Sequence, residues 1–183
     1  MKKIILYSFT ALLLFSCGSS MQVFSDYDKD SNIGTYKTYN WLDLQSIEGK
    51  GLNPLYYNEL NDKRIREAVN KEMKSRNYAM SDEKATLQIH YHIIVEDKIA
   101  STTEPAGYQY HPLSNLTKVN TYQYREGTLI IDVMDTKTNA LIWRGWATDV
   151  ITNTTRKNPE AVIQKAIGKI FTVFPVNAQN LKQ

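Results

Sequence analysis

The chain has 183 residues, of which 42% are apolar and 22% charged, a size and composition that suit one globular domain. Its formal net charge is +3, and it falls to +1 once the leader described next removes Lys2 and Lys3. So small a net charge predicts no strong attraction to nucleic acid or to acidic lipid surfaces. The only cysteine is Cys17, which excludes an internal disulfide.

The N-terminal segment has the pattern of an export signal. A basic start, Met1–Lys3, precedes a predominantly apolar region of twelve residues, Ile4–Phe15, which is too short to cross a bilayer as a helix. The segment ends in Leu14-Phe15-Ser16-Cys17, which resembles the lipobox of bacterial lipoproteins. In that family the leader is cut before the cysteine, and both the thiol and the new amino terminus are acylated. The alternative is an ordinary secretory signal beside a chance cysteine.

We therefore predict a leader over residues 1–16, lipid attachment at Cys17 and a tether over residues 17–22. Several acyl chains hold a protein firmly, since each buried CH₂ contributes about 0.8 kcal/mol. The tether is short, so the domain is expected to lie close to the membrane. Gly18, which is not acidic, resembles outer-membrane sorting in some bacteria and predicts an outer-membrane protein facing the periplasm.

The first half of the mature chain predicts three strands and one helix. Val23–Tyr27 and Thr35–Leu42 have the composition of strands, and residues 43–55 form a loop. Asn61–Arg76 carries apolar residues at helical spacing, with Asn58 or Asn61 available as a cap. Ala85–Ile99 alternates over an unusual length, with an apolar face and a polar face that bears His90 and His92.

The second half predicts a central hairpin and a second helix. Ala100–Glu126 is irregular and is expected to form a long loop or to contain extra strand. Gly127–Asp135 and Ala140–Ile151 are the two arms of the hairpin, which turns over residues 136–139. A helix begins at Asn158-Pro159-Glu160 and stops at Pro175. Together these segments predict an α+β fold of two layers, in which two helices pack on one face of a mixed or antiparallel sheet of about four to five strands.

Five motifs carry a resemblance to a known family. They are VFSDYD at 23–28, YKTYNWL at 36–42, EGTLIIDVMD at 126–135, LIWRGWA at 141–147 and IFTVFP at 170–175. They resemble the bacterial lipoprotein family catalogued as domain of unknown function 4136 (DUF4136). The resemblance covers nearly all of the mature chain, so we take residues 23–176 as the domain and 177–183 as a tail. It implies a small exported lipoprotein domain without an established activity or catalytic residues. Arg76-Asn77-Tyr78 departs from the family, in which glycine tends to precede the aromatic residue, but asparagine tolerates the same backbone.

Histidines and carboxylates are the remaining candidates for chemistry. Familiar nucleophile and phosphate-binding motifs are absent from the sequence. His90 and His92 share one face of a strand and could bind a metal, with His111 or Glu96 as a third ligand. The alternative is that both histidines are solvated or paired with neighbouring side chains.

Asp132 lies among apolar residues of the hairpin and has two interpretations. A buried carboxylate can have a raised pKa and take part in acid–base chemistry. It can instead pair with Arg144 across the hairpin. A turn centred on residues 137–138 places residue 132 opposite about residue 143, which leaves that pairing open.

Aromatic residues provide the candidate binding surface. Trp143 and Trp146 have opposite parity, so one is expected in the core and the other on the outer face beside Arg144. Gly145 between them suggests a bulge or the close approach of another backbone. Tyrosine rings recognise sugars and proteins at low entropic cost. The candidate residues are Tyr108, Tyr110, Tyr122, Tyr124 and Trp146. The alternative is a loop that folds its rings onto the sheet.

The sequence therefore predicts a non-enzymatic binding or accessory lipoprotein of the bacterial cell envelope. Its expected partners are the membrane, through Cys17, and an envelope protein or cell-wall component, with no cofactor and no nucleic acid. The alternative is an envelope hydrolase or a metal-binding protein that uses His90 and His92 or Asp132. A concave pocket that collects these residues would favour the alternative, and a flat sheet face would count against it.

Overall fold

The structure is a computed structural model that describes residues 21–42, 53–105 and 117–175. The predicted leader, Cys17, Tyr108, Tyr110, His111 and the tail 177–183 lie outside those ranges. Among the described residues, no helix combines the length and the apolar character needed to cross a membrane.

One mixed sheet of six strands forms the centre of the domain. The strands are β1 (Gln22–Tyr27), β2 (Thr38–Trp41), β3 (Ala79–Met80), β4 (Leu87–Pro105), β5 (Thr117–Asp135) and β6 (Leu141–Val150). Their order across the sheet is β1-β6-β5-β4-β2-β3. In this order, β1, β6, β5 and β4 are each antiparallel to their neighbours in that group. β2 runs parallel to both β4 and β3.

Three helices accompany the sheet: α1 (Glu59–Ser75), α2 (Asn153–Lys157) and α3 (Pro159–Thr172). α1 begins where the Asn58 side chain accepts a hydrogen bond from the Asn61 backbone, at 3.0 Å. α3 begins in the same way at Asn158, with Pro159 at the first helical position. α1 ends before Asn77, whose φ of 64° is the left-handed conformation predicted for it.

The α+β prediction is confirmed, but the sheet is larger than predicted and there is a third helix. The additional strand, β3, has two residues, which is too short to show a periodic pattern. The helix α2 has only five residues. The segment 100–126 was expected to form a long loop or to contain extra strand, and its described residues are strand, because β4 continues to Pro105 and β5 starts at Thr117. There β5 pairs with β4 alone, and such a ribbon has no fully buried face to impose apolar alternation.

The core lies between the helices and one face of the sheet. Trp143 of β6 is fully buried, and its ring centroid lies 4.8 Å from that of Phe174 and 5.9 Å from that of Phe171. A Cβ at Gly145 would lie 2.3 Å from the Trp143 ring, so only glycine leaves room for it. The close approach at Gly145 is therefore made by the Trp143 side chain and not, as predicted, by another backbone.

The bulge lies elsewhere, at Ile142. Met134 pairs with Leu141, whereas Val133 pairs with Trp143, so Ile142 is an extra residue in β6. On the side of Ile142 away from the turn, each β5 residue pairs with the β6 residue one position later than it would without the bulge. Asp132 consequently faces Arg144, and Trp143 falls on the core face.

Candidate functional site

An apolar groove of about 530 Å³ lies between the first turns of α1 and α3 and the sheet. Its floor is apolar and is formed mainly by Ile65, Ile93, Leu129, Ala147, Ile163 and Ala166. At its edge stand Leu55, Leu60 and Val150, whose side chains are exposed, Leu55 to 73% and Leu60 to 64%. The volume is within the range of about 300–1,000 Å³ that is usual for small-molecule sites.

The groove exists because the two helices fill only one end of the sheet face. At the far end Ile170 of α3 and Met73 of α1 are fully buried. At the groove end Ile163 is only partly buried, as are Ile93 and Leu129 on the strands below it. Apolar surface that the core would otherwise cover therefore remains open to a ligand.

The lining of the groove also includes polar groups. It contains Arg64, Arg125 and Arg156 but only one acid, Asp149. Arg125 Nε lies 2.8 Å from Asp97 Oδ1 and is paired with it. The site is thus an apolar floor with a net positive border.

On the opposite face of the sheet, Asp132 is the centre of a polar cluster. Arg144 donates two hydrogen bonds to its carboxylate, from Nε to Oδ1 at 2.6 Å and from Nη2 to Oδ2 at 2.7 Å. His92 Nε2 lies 3.2 Å from Oδ2. The His90 ring stands edge-on to that of His92 at 4.1 Å, and His90 Nε2 is buried without a hydrogen-bond partner.

The spacing in this cluster would admit a metal ion, but its hydrogen bonds do not favour one. Ligand atoms of His90, His92 and Asp132 lie within 4.8 Å of one another. However, both oxygens of Asp132 are already engaged, and the Arg144 guanidinium would stand beside the cation. The groove and the two clefts beside it are lined by other residues. The arrangement is that of a charge pair fixed on a sheet face.

The charges in the cluster perturb its pKa values. Burial raises the pKa of Asp132, but the hydrogen bonds from Arg144 and His92, together with their charges, outweigh it and lower that pKa to about 2. Burial, with the neighbouring His92, lowers the pKa of His90 to about 4. At neutral pH Asp132 is ionised, as a partner of Arg144 should be, and His90 is neutral.

We predict that acid destabilises the domain in a window set by His90. The folded protein holds this side chain neutral down to about pH 4, whereas the unfolded chain protonates it below about pH 6.5. The free energy of unfolding should therefore fall as pH drops from about 6.5 to 4, with a slope of at most about 1.4 kcal/mol per pH unit from this group. Urea unfolding at a series of pH values measures the slope. In His90→Gln it should flatten, and an unchanged slope would contradict the assignment.

The predicted aromatic surface is divided in the structure. Trp146 is half-buried on the face opposite the helices, where it stacks on Phe24 at 5.7 Å. Tyr122 and Tyr124 lie on the β4–β5 ribbon with ring centroids 6.2 Å apart. Tyr124 is six residues along β5 from Ile130, the partner of Trp146, or about 20 Å at the usual rise. The described tyrosines and Trp146 therefore do not form one continuous patch.

A family model described as "Domain of unknown function (DUF4136)" matches residues 23–176. The chain belongs to this family. No curated protein matches the sequence.

Two solved structures show where the same fold occurs. A DUF4136 family protein from Bacteroides thetaiotaomicron is 19% identical, with 85% of this chain and 96% of that one aligned at a TM-score of 0.53. A PDZ domain protein from Parabacteroides distasonis is 15% identical over 93% of this chain, at a TM-score of 0.57. The alignment with this chain covers only 39% of the length of the PDZ domain protein. At these identities the likeness concerns the fold alone.

The groove of this DUF4136 domain was not foreseen from the sequence, although its residues left a signal. Leu55 and Leu60 flank the start of α1 as exposed leucines in an otherwise polar stretch. Val162 and Ile163 widen the apolar stripe of α3 beyond what one contact with the sheet requires. Neither feature identifies a groove until the helices are placed on the sheet.

Proposed function

We propose that this DUF4136 protein is a non-enzymatic binding protein of the bacterial cell envelope, held at the membrane by lipid on Cys17. Its ligand would occupy the apolar groove between α1, α3 and the sheet. The observation that carries the proposal is the groove itself, which residues 21–42, 53–105 and 117–175 leave open, because a large apolar concavity with a polar border is the usual form of a ligand site.

The position of the groove supports a role at the membrane. Met21 is part of its lining and follows Cys17 by four residues. Four residues span at most about 14 Å, so the edge of the groove would stand near the surface that holds the lipid. The exposed Leu55 and Leu60, which also line the groove, suit contact with acyl chains. The absence of an acidic residue at position 18 favours the outer membrane, facing the periplasm.

The polar cluster supports a non-enzymatic role. The carboxylate of Asp132 is held by Arg144 on a sheet face, outside the groove and its neighbouring clefts. A general base needs access to a bound substrate, and a nucleophile needs a base in reach. None of these three concavities would place a substrate against Asp132 or His92, which counts against an envelope hydrolase that uses them.

The test is site-resolved photolabelling of the full chain in intact envelopes. A neutral alkyl diazirine should label peptides from the groove floor, such as those with Ile93 and Ile163. Ile163→Trp fills the groove and should reduce this labelling at least tenfold. Val173→Trp, a matched change at an exposed position after α3, should leave it unchanged. Uniform labelling over the surface, or the same labelling in Ile163→Trp, would overturn the proposal.

A further inference from the structure

The apolar and the charged residues that line the groove lie in different parts of it, and this arrangement limits the chemical class of ligand that fits. Its floor consists of aliphatic side chains, whereas Arg64 and Arg156 stand on the first turns of α1 and on α2, above that floor. A purely apolar ligand would give neither guanidinium group an anionic partner. A ligand with one apolar and one charged end would satisfy both parts of the lining.

Arg64 and Arg156 are available to such a ligand. Neither forms an ion pair with a carboxylate in the part of the chain that the structure describes. Arg64 Nη1 donates to Asn61 Oδ1 at 2.9 Å, which leaves its other donors unengaged by that contact. Arginine presents its donors as a planar fork that matches carboxylate and phosphate groups.

The helices add to the positive potential at the same place. Asn58, the cap of α1, and Pro159, the first residue of α3, both line the groove. The positive ends of two helices of 17 and 14 residues therefore meet at its border. Two nearby acids are engaged elsewhere. Asp62 binds Arg66 and the Tyr91 hydroxyl, and Glu160 accepts from Gln164 beside a neighbouring cleft.

Resting on the proposed function, we infer that the ligand is a lipid with an acyl chain and an anionic headgroup. The chain lies along the aliphatic floor, and the carboxylate or phosphate of the headgroup lies between Arg64 and Arg156. The small net charge of the protein does not oppose this, because Arg64 and Arg156 both line this one groove. The inference extends the proposed function by naming the headgroup.

The test compares two photoactivatable probes on the purified full chain in nonionic detergent. Both carry the same alkyl diazirine chain, but one ends in phosphate and the other in a neutral alcohol. The phosphate probe should label the floor at about tenfold lower concentration than the alcohol, a preference equivalent to about 1.4 kcal/mol. Excess inorganic phosphate at the same ionic strength should not displace it, since the chain supplies much of the affinity.

Charge-neutralising variants locate the headgroup. Arg64→Gln with Arg156→Gln should remove the preference for phosphate and leave labelling by the alcohol unchanged. The matched control is Lys63→Gln with Lys157→Gln. These lysines are the sequence neighbours of Arg64 and Arg156 but do not line the groove, so the double variant should keep the preference for phosphate. If both probes label the floor equally, the headgroup inference fails and the proposed function stands. If neither probe labels the floor, the headgroup inference and the proposed function both fail.

Discussion

Replacing Asp132 with alanine should lower the free energy of unfolding by about 3 kcal/mol. Asp132 is 4% exposed. Its carboxylate accepts two hydrogen bonds from Arg144, and Oδ2 lies 3.2 Å from His92 Nε2. Removing one partner of a buried pair costs about 3–5 kcal/mol, because the other charge is left uncompensated. The lower end applies here, since Arg144 is partly exposed and can turn toward water. Urea unfolding at pH 7 measures the change.

A neighbouring acid provides the control. Asp26 of β1 lies directly across from Arg144 in the register, but it is exposed. Asp26→Ala should change the free energy of unfolding by less than about 0.5 kcal/mol. Removing Arg144 together with Asp132 should cost less than the sum of the single changes. A loss below about 1 kcal/mol in Asp132→Ala would mean that this carboxylate is retained for some purpose other than stability.

Replacing Cys17 with alanine should abolish palmitate incorporation into the protein completely. Cys17 is the only thiol in the chain, so no other residue can take a thioether-linked lipid. The leader should also remain uncut, because the resemblance to the lipobox places the cut before this cysteine. Metabolic labelling with palmitate and the intact mass of the protein are the measurements. Membrane fractionation is not used, because an uncut apolar leader can hold the variant at the membrane without lipid.

The control for Cys17 lies in the tether. Ser20→Ala changes a residue outside Leu14-Phe15-Ser16-Cys17 and should leave both labelling and the mass of the processed protein as expected for a lipoprotein. Palmitate incorporation that persists in Cys17→Ala would contradict the anchor. A processed wild-type protein without acyl mass would do the same, and would favour an ordinary secretory signal.

The β5–β6 hairpin shows which structural features the alternation of residues predicts and which it does not. Alternation assigns Trp143 and Trp146 to opposite faces, and the structure places Trp143 in the core and Trp146 outside it. The same pattern left the pairing of Asp132 with Arg144 open, because the extra residue at Ile142 shifts the register by one. A bulge is decided by packing across strands and by the turn at Asn139, whose φ is 56°. Local sequence spacing does not contain that information.

The β4–β5 ribbon was predicted only as one of two alternatives, and the groove was not predicted, for different physical reasons. The ribbon beyond Glu96 pairs only β4 with β5, so polar residues such as Thr102 and Asn120 occupy strand positions without apolar alternation. The groove depends on how far two helices cover a sheet, which is a property of their packing. The sequence did predict the helix caps at Asn58, which lines the groove, and at Asn158, which precedes the groove residue Pro159.

Native mass spectrometry of the full chain, purified from bacterial envelopes in mild detergent, tests the central claim most directly. We expect one non-covalently bound acyl-chain lipid per protein, in addition to the mass of the lipid on Cys17. Ile163→Trp should lose this bound lipid, and Val173→Trp should keep it. A wild-type protein that carries no bound lipid, or an Ile163→Trp variant that retains it in full, would contradict the account.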